Sequence, residues 1–242
     1  MQIRIFFTGF YQPLIFAEMK IIQGLNFVLG KFLNKKNTFL NYSLIYLSRK
    51  RSIDRNYMDY IRIATLELVA TEITSNQIEG AVAELGVYKG KFARYINKYF
   101  PEKSLYLFDT FEGFDKKDIN SEVANNYSRG DQDFSQTSAN QVLSLMPFPK
   151  KCIIKKGFFP ATSEGIDEEF SFVSIDTDLY EPIYNGLVYF YPRLKKGGYI
   201  FVHDYNNDNY KGAKSAVDKY CAEQGIPRLP IPDSAGTAIL MK

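Results

Sequence analysis

From residue 57 to the C-terminus, short apolar runs alternate with segments whose apolar residues recur at helical spacing. The runs predict strands at 82–85, 105–109, 152–155, 171–176, 198–203 and 237–241. Between them, helical patterns fall at 90–99, 138–146, 181–193 and 211–224. Phe92, Tyr95, Ile96 and Tyr99 make one apolar face, and Ile183, Leu187, Phe190 and Leu194 make another. Lys196-Gly197-Gly198 reads as a helix stop before the fifth strand. Upstream, Tyr57, Tyr60, Ile61, Ala64 and Leu68 predict a further helix leading into the first strand. Such alternation predicts an α/β fold, a mostly parallel sheet with helices on both faces. Residues 112–137 break the rhythm: they are polar, rich in Asn, Asp and Ser, and follow a strand end. A long insertion there reads as a lid, a substrate loop or disorder. Ser138-Ala139-Asn140-Gln141 is a capping-box pattern that starts the helix carrying Val142, Leu143 and Met146.

With 242 residues the chain holds one large domain, or one domain with an appendage, and charge locates the boundary. Residues 1–55 carry nine Lys or Arg against Glu18 and Asp54, a local +7, which leaves −4 for residues 56–242 of a chain whose total is +3. The basic segment is rich in aromatic and aliphatic residues, with a helical stripe at Ile21, Leu25, Val28 and Phe32 and a basic link at Arg49-Lys50-Arg51. Gly9, Gln12 and Pro13 interrupt its apolar run, so it does not read as a signal peptide. No stretch reaches the ~20 apolar residues of a membrane span. It reads either as a helical cap packed on the domain or on a second subunit, or as a basic amphipathic surface on anionic membrane. The acidic balance of the larger part argues against a nucleic-acid partner. Cys152 and Cys221 make neither a disulfide framework nor a zinc spacing, which fits a reducing, cytoplasmic setting.

The candidate chemistry sits at three strand ends. Val82-Ala83-Glu84-Leu85 leaves through Gly86-Val87-Tyr88-Lys89-Gly90, a turn with no Gly-x-Gly-x-x-Gly pattern for a pyrophosphate. A Cβ at Gly86 or Gly90 is expected to push a ligand off the backbone. Asp109 closes the next apolar run, nineteen residues past Gly90, where an acid accepts from ribose hydroxyls. Asp176 and Asp178 follow Phe172-Val173-Ser174-Ile175, and an extended chain would point both into one crevice. His203 and Asp204 follow Tyr199-Ile200-Phe201-Val202, on a strand that a right-handed crossover sets beside or near the last. Bunched acids are relieved by a cation or a proton, and oxygen donors favour Mg²⁺, Mn²⁺ or Ca²⁺. The same acids could instead cap helices, and His203 reads equally as a hydrogen-bonded strand end, a ligand or a base.

Six ordered blocks over about residues 57–242 resemble the macrocin O-methyltransferase (TylF-like) family of class I methyltransferases. They are 84–90, 107–113, Lys156 to Pro160, 175–181, 191–198 and 203–205. The resemblance implies a seven-stranded Rossmann-like sheet with an antiparallel last strand, over residues 56–242. It implies S-adenosylmethionine as methyl donor, Mg²⁺ (or Mn²⁺) assistance, and a sugar hydroxyl on a small molecule or glycan as acceptor. By position, Glu84, Gly86, Val87, Tyr88 and Gly90 line the methionine part of the cofactor. Asp109 and Thr110 follow at the ribose strand end, with Phe111 or Gly157-Phe158 near adenine. Asp176, beside the cofactor, or Asp178 would hold the metal with Asp204, and Asp176, Asp178 or His203 would be the base. The family's Asp-Asp-Tyr is His203-Asp204-Tyr205 in this chain, which weakens a Mg²⁺ site, favours Mn²⁺, or makes the histidine the base. A nucleotide- or NAD-binding enzyme and a non-catalytic scaffold of the same fold are the rival readings.

Overall fold

The computed structural model describes residues 59–242; the N-terminal stripe, the basic link and Tyr57 lie outside them. Six helices and seven strands alternate: α1 (Tyr60–Ser75), β1 (Ala81–Leu85), α2 (Lys91–Tyr99), β2 (Leu105–Asp109), α3 (Lys116–Ala124), α4 (Ala139–Leu145), β3 (Cys152–Lys156), β4 (Phe170–Ile175), α5 (Tyr180–Arg193), β5 (Leu194–Val202), α6 (Lys211–Gln224), β6 (Leu229–Ile231) and β7 (Thr237–Met241). The strands form one sheet in the order β3-β2-β1-β4-β5-β7-β6. β7 runs antiparallel to both β5 and β6, and the other pairings are parallel. This is the α/β sheet that the alternation predicts, with the seven strands and antiparallel last strand that the resemblance implies.

The central strands β1 and β4 are buried along their whole length because helices cover both faces, and they read as unbroken apolar runs for that reason. Against them α5 presents Ile183, Leu187 and Phe190, all fully buried. Phe190 packs its ring 5.1 Å from that of Phe170 and 5.7 Å from that of Phe108. Each such side chain contributes about 1.5–3 kcal/mol.

Four expectations need correction. The buried face of α1 is Arg62, Ile63, Ala64, Leu66, Val69, Ala70 and Ile73, which includes the expected Ala64 but is rotated from Tyr60, Ile61 and Leu68, each only partly buried. A buried arginine in the middle of that face disguises it. Residues 112–137 are not all loop, since α3 forms inside them with Asp115 as its N-cap. β6 was not foreseen: Leu229-Pro230-Ile231 is short, two of its three residues are exposed, and it sits at the sheet edge where proline is tolerated. β5 begins at Leu194 and not at 198, so Gly197 and Gly198 lie inside the strand instead of stopping a helix, while α5 ends at Arg193 as expected, next to Pro192.

Strand register positions the chemistry. Leu85 pairs with Ile175 and Ile175 with Val202, so the three C-terminal strand ends of β1, β4 and β5 lie level. The chain leaves β1 toward β2 and β3 on one side, and β4 returns on the other. The edge between β1 and β4 is therefore the switch point where an open α/β sheet leaves a crevice.

Candidate active site

At the end of β1 the backbone turns through Gly86, at φ +85°, and reaches Gly90, at φ +70°, the N-cap of α2. A Cβ on Gly86 would lie 2.1 Å from the carbonyl oxygen of Asp176, and one on Gly90 would lie 2.9 Å from Val142 Cγ1. The expectation that these glycines clear space for a ligand is corrected. They clear space for β4 and α4, and Gly90 is not in the wall of the cavity. Asp109 ties this turn to β2. Its Oδ2 accepts the N–H groups of Val87 and Tyr88, both at 2.7 Å, and its Oδ1 accepts that of Phe111 at 2.6 Å. Phe111 itself is 5% exposed and absent from the cavity wall, so of the two candidates near adenine only Gly157-Phe158 lines the space, and Phe158 is exposed to it.

Glu84 stands in β1 with its side chain in the same wall, 1% exposed, and its Oε2 has no partner. Burial, then the nearby Asp176 carboxylate, raises it well above the ordinary range. A buried acid with an orphaned oxygen is costly in isolation, and a cationic ligand group beside it would offset that cost.

The ends of β4 and β5 build a charged network. Asp176 Oδ2 accepts from Arg62 Nη1 at 2.9 Å, and its Oδ1 lies 3.2 Å from His203 Nδ1. The same Nδ1 lies 2.8 Å from Asp204 Oδ2, while Asp204 Oδ1 accepts from Asn207 Nδ2 at 2.5 Å. Arg62 reaches across from α1, donates to Ser174 Oγ at 3.1 Å, and stacks 3.8 Å from the centre of the Phe92 ring. Burial opposes charge on Asp176, but His203 and Arg62 outweigh it and hold the carboxyl well below its usual range. Burial likewise opposes charge on His203, and Asp176 overcomes it, so the imidazole is pushed up to about 12. The two carboxylates thus hold His203 toward its protonated form, which has no lone pair to accept a proton. Asp178 is different: burial, then Asp204 and Asp176, raises it well above the carboxylate range.

The sequence placed Asp176, Asp178, His203 and Asp204 in one crevice, and all four line the cavity. They do not meet as an extended chain would bring them. Asp178 and Asp204 both adopt φ +59°, as rarely seen for non-glycine residues outside strained functional turns. The donors that converge are Asp176, His203 and Asp204, whose ligating atoms lie within 4.8 Å of one another; Asp178 is not among them. Two neighbouring ligands on an octahedral ion of the Mg²⁺ type lie about 3 Å apart, since each bond is about 2.1 Å. The 2.8 and 3.2 Å separations fit that spacing. The remaining oxygens of Asp176 and Asp204 are fixed by Arg62 and Asn207, the kind of outer support metal ligands use. A cation entering here would have to displace the proton on Nδ1. Arg62 and Asn207 escaped the sequence reading, although a lone arginine inside an otherwise apolar helical stretch was a visible signal.

One cavity of about 340 Å³ connects these parts, within the usual range for a small-molecule site. Its wall runs from Glu84, Asp109 and Phe158 past Asp178 and His203 to Phe114, Asp118 and Phe134 of the 112–137 segment.

Residues 55–239 match the family model described as macrocin-O-methyltransferase (TylF). A curated relative from Streptomyces olivaceus, 8-demethyl-8-(2,3-dimethoxy-alpha-L-rhamnosyl)-tetracenomycin-C 4'-O-methyltransferase, is 24% identical over 199 residues, covering 75% of this chain and 72% of the relative. Two solved structures share the fold. CalS11, a calicheamicin methyltransferase, superposes with a TM-score of 0.62 at 18% identity, covering 90% of this chain and 91% of that one. The O-methyltransferase NovP gives 0.59 at 20% identity, covering 75% and 79%. With a family match across the sheet and every strand-end residue described above, the chain belongs to the macrocin O-methyltransferase (TylF) family of S-adenosylmethionine-dependent enzymes.

Proposed function

We propose that this enzyme methylates a hydroxyl of a sugar or glycosylated metabolite, assisted by a divalent cation held between Asp176, His203 and Asp204. One observation carries the reading. The glycine-turn crevice and the strand-end network share a single cavity, so a donor bound at β1 faces whatever binds over β4 and β5. S-adenosylmethionine would supply an activated methyl group, and the cation would lower the pKa of the acceptor hydroxyl.

The protein's part is to hold and to receive. Glu84 Oε2, buried and unpartnered, is placed to accept the cofactor's α-ammonium group. Asp109 spends one lone pair of Oδ1 and both of Oδ2 on backbone N–H groups, and the one lone pair left on Oδ1 can take a ribose hydroxyl. Phe158 offers an exposed ring for the base. Asp178, in the cavity wall outside the Asp176–His203–Asp204 cluster, would take the hydroxyl proton once a cation beside Asp204 offsets the repulsion that otherwise keeps it protonated. His203, held toward its protonated form between carboxylates, fits a charge-balancing role, or that of a ligand once a cation displaces the Nδ1 proton, better than that of a base. Rate would come from positioning both reactants and from stabilising the nascent alkoxide.

The free thiols at Cys152 and Cys221 support a reducing, cytoplasmic setting. No helix among the described residues is long and apolar enough to cross a membrane. The basic 1–55 segment remains, in this reading, an appendage to the 56–242 enzyme.

The test is transfer of label from methyl-labelled S-adenosylmethionine to a panel of methyl glycosides and glycosylated natural products. Asp178→Asn should lower transfer by at least about 10²-fold while leaving S-adenosylhomocysteine affinity within about twofold. Full transfer by Asp178→Asn would remove it from the base role, and no transfer by the wild-type enzyme to any glycoside would refute the acceptor class.

A further inference from the structure

Helix α3 is built the wrong way round for a surface helix. Its buried residues are Asp118 and Glu122, one turn apart, whereas Val123 is 51% exposed. Glu122 has a structural task, since its Oε1 accepts the N–H of Tyr180 at 2.7 Å and so caps α5. Asp118 has none. It is 9% exposed, makes no hydrogen bond to the protein, and lines the cavity. Burial, then the neighbouring Asp115 carboxylate, moves it up to about 6. A nearly buried acid without a donor costs stability, and it is retained here inside the wall of a binding site.

Two aromatic rings line the same cavity. Phe114 and Phe134 are half-buried, with ring centres 4.9 Å apart at 72°, and Phe134 meets Tyr88 edge-on at 5.0 Å. The segment carrying them is fixed at both ends: Thr110 Oγ1 donates to Gly113 O at 2.7 Å, and Thr137 Oγ1 donates to Tyr88 O at 2.5 Å. Aromatic faces beside a donor-seeking carboxylate suit a pyranose, which has apolar C–H patches and hydroxyl groups at its rim.

Resting on the reading of this enzyme as a sugar O-methyltransferase, we propose that Asp118, with Phe114 and Phe134, binds the acceptor's sugar ring and selects an uncharged one. Asp118 accepts a hydrogen bond from a ring hydroxyl, and the two phenylalanines cover an apolar face. Asp115, in the wall, with Glu181 and Glu122, outweighs Lys117 at Asp118, so a carboxylate on the ring itself would be repelled. Of the wall's lysines, Lys89 lies 5.0 Å from the centre of the Tyr88 ring and Lys91 starts α2.

The probes are methyl α-L-rhamnopyranoside, methyl β-D-glucopyranoside and methyl β-D-glucuronide, titrated by saturation-transfer NMR against enzyme saturated with S-adenosylhomocysteine. At least one neutral glycoside should bind, and the glucuronide should bind at least about tenfold more weakly. Asp118→Ala and Phe134→Ala should each weaken the neutral glycoside by about tenfold, with Asp118→Asn recovering part of the loss because its amide oxygen still accepts. S-adenosylhomocysteine affinity, read by calorimetry, should stay within about twofold in all three variants, which also certifies that they fold. Equal binding of the glucuronide, or unchanged glycoside affinity in both alanine variants, would overturn the proposal. So would failure of both neutral glycosides to bind an enzyme that holds S-adenosylhomocysteine. Failure to bind S-adenosylhomocysteine at all would instead strike the underlying reading.

Discussion

His203 is the residue at which this chain departs from the pattern it resembles, and its surroundings give the departure physical meaning. With an imidazole nitrogen beside two carboxylates, 3.2 and 2.8 Å away, the candidate cation site has one nitrogen donor among oxygens. Mixed donors of that kind favour Mn²⁺ over the harder Mg²⁺. In direct electron paramagnetic resonance titrations, wild-type protein should therefore hold Mn²⁺ against a large excess of Mg²⁺. His203→Asp should shift that competition toward Mg²⁺ by about tenfold or more. Identical competition curves would show that His203 does not touch the ion. Other residues were only half legible. Gly86 was recognisable as a special position, but the sequence pointed to a ligand as the reason. The obstacle is the Asp176 carbonyl, a tertiary contact with another strand that no local pattern reveals. Asp109 was located correctly, whereas its hold on Val87, Tyr88 and Phe111 depends on backbone directions that spacing does not encode.

At the scale of elements, periodicity found every strand but the short, exposed β6, and most helices, because their burial is one-sided or complete, and it failed where polar residues are buried. α1 shows the cause. Its inward face contains Arg62, which a pattern of apolar positions counts as outward. α3 shows it again, since a helix whose buried face is Asp118 and Glu122 reads as polar loop. Both exceptions touch the cavity, whose wall includes Arg62 and Asp118. Arg62 couples α1 to the sheet through Asp176, Ser174 and Phe92. Arg62→Met keeps the apolar stem but leaves Asp176 with His203 as its remaining counter-charge. Urea unfolding should show a loss of about 3 kcal/mol. A loss below about 0.5 kcal/mol would mean that the arginine serves the site's charge and not the docking of α1.

For the molecule as a whole, the fold follows from alternating patterns and strand register, which bring Gly86, Asp176 and His203 to one edge although they are far apart in sequence. The cavity at that edge has an acid without a partner at the β1 end and a carboxylate–imidazole network over β4 and β5. These two halves make sense together if the first holds S-adenosylmethionine and the second receives the acceptor. Calorimetric titration with S-adenosylhomocysteine tests this most directly. One molecule should bind per chain, with affinity reduced by at least about tenfold in Glu84→Gln and kept in Asp178→Asn. A folded wild-type chain that takes up no S-adenosylhomocysteine, or that binds NAD in its place, would contradict the account.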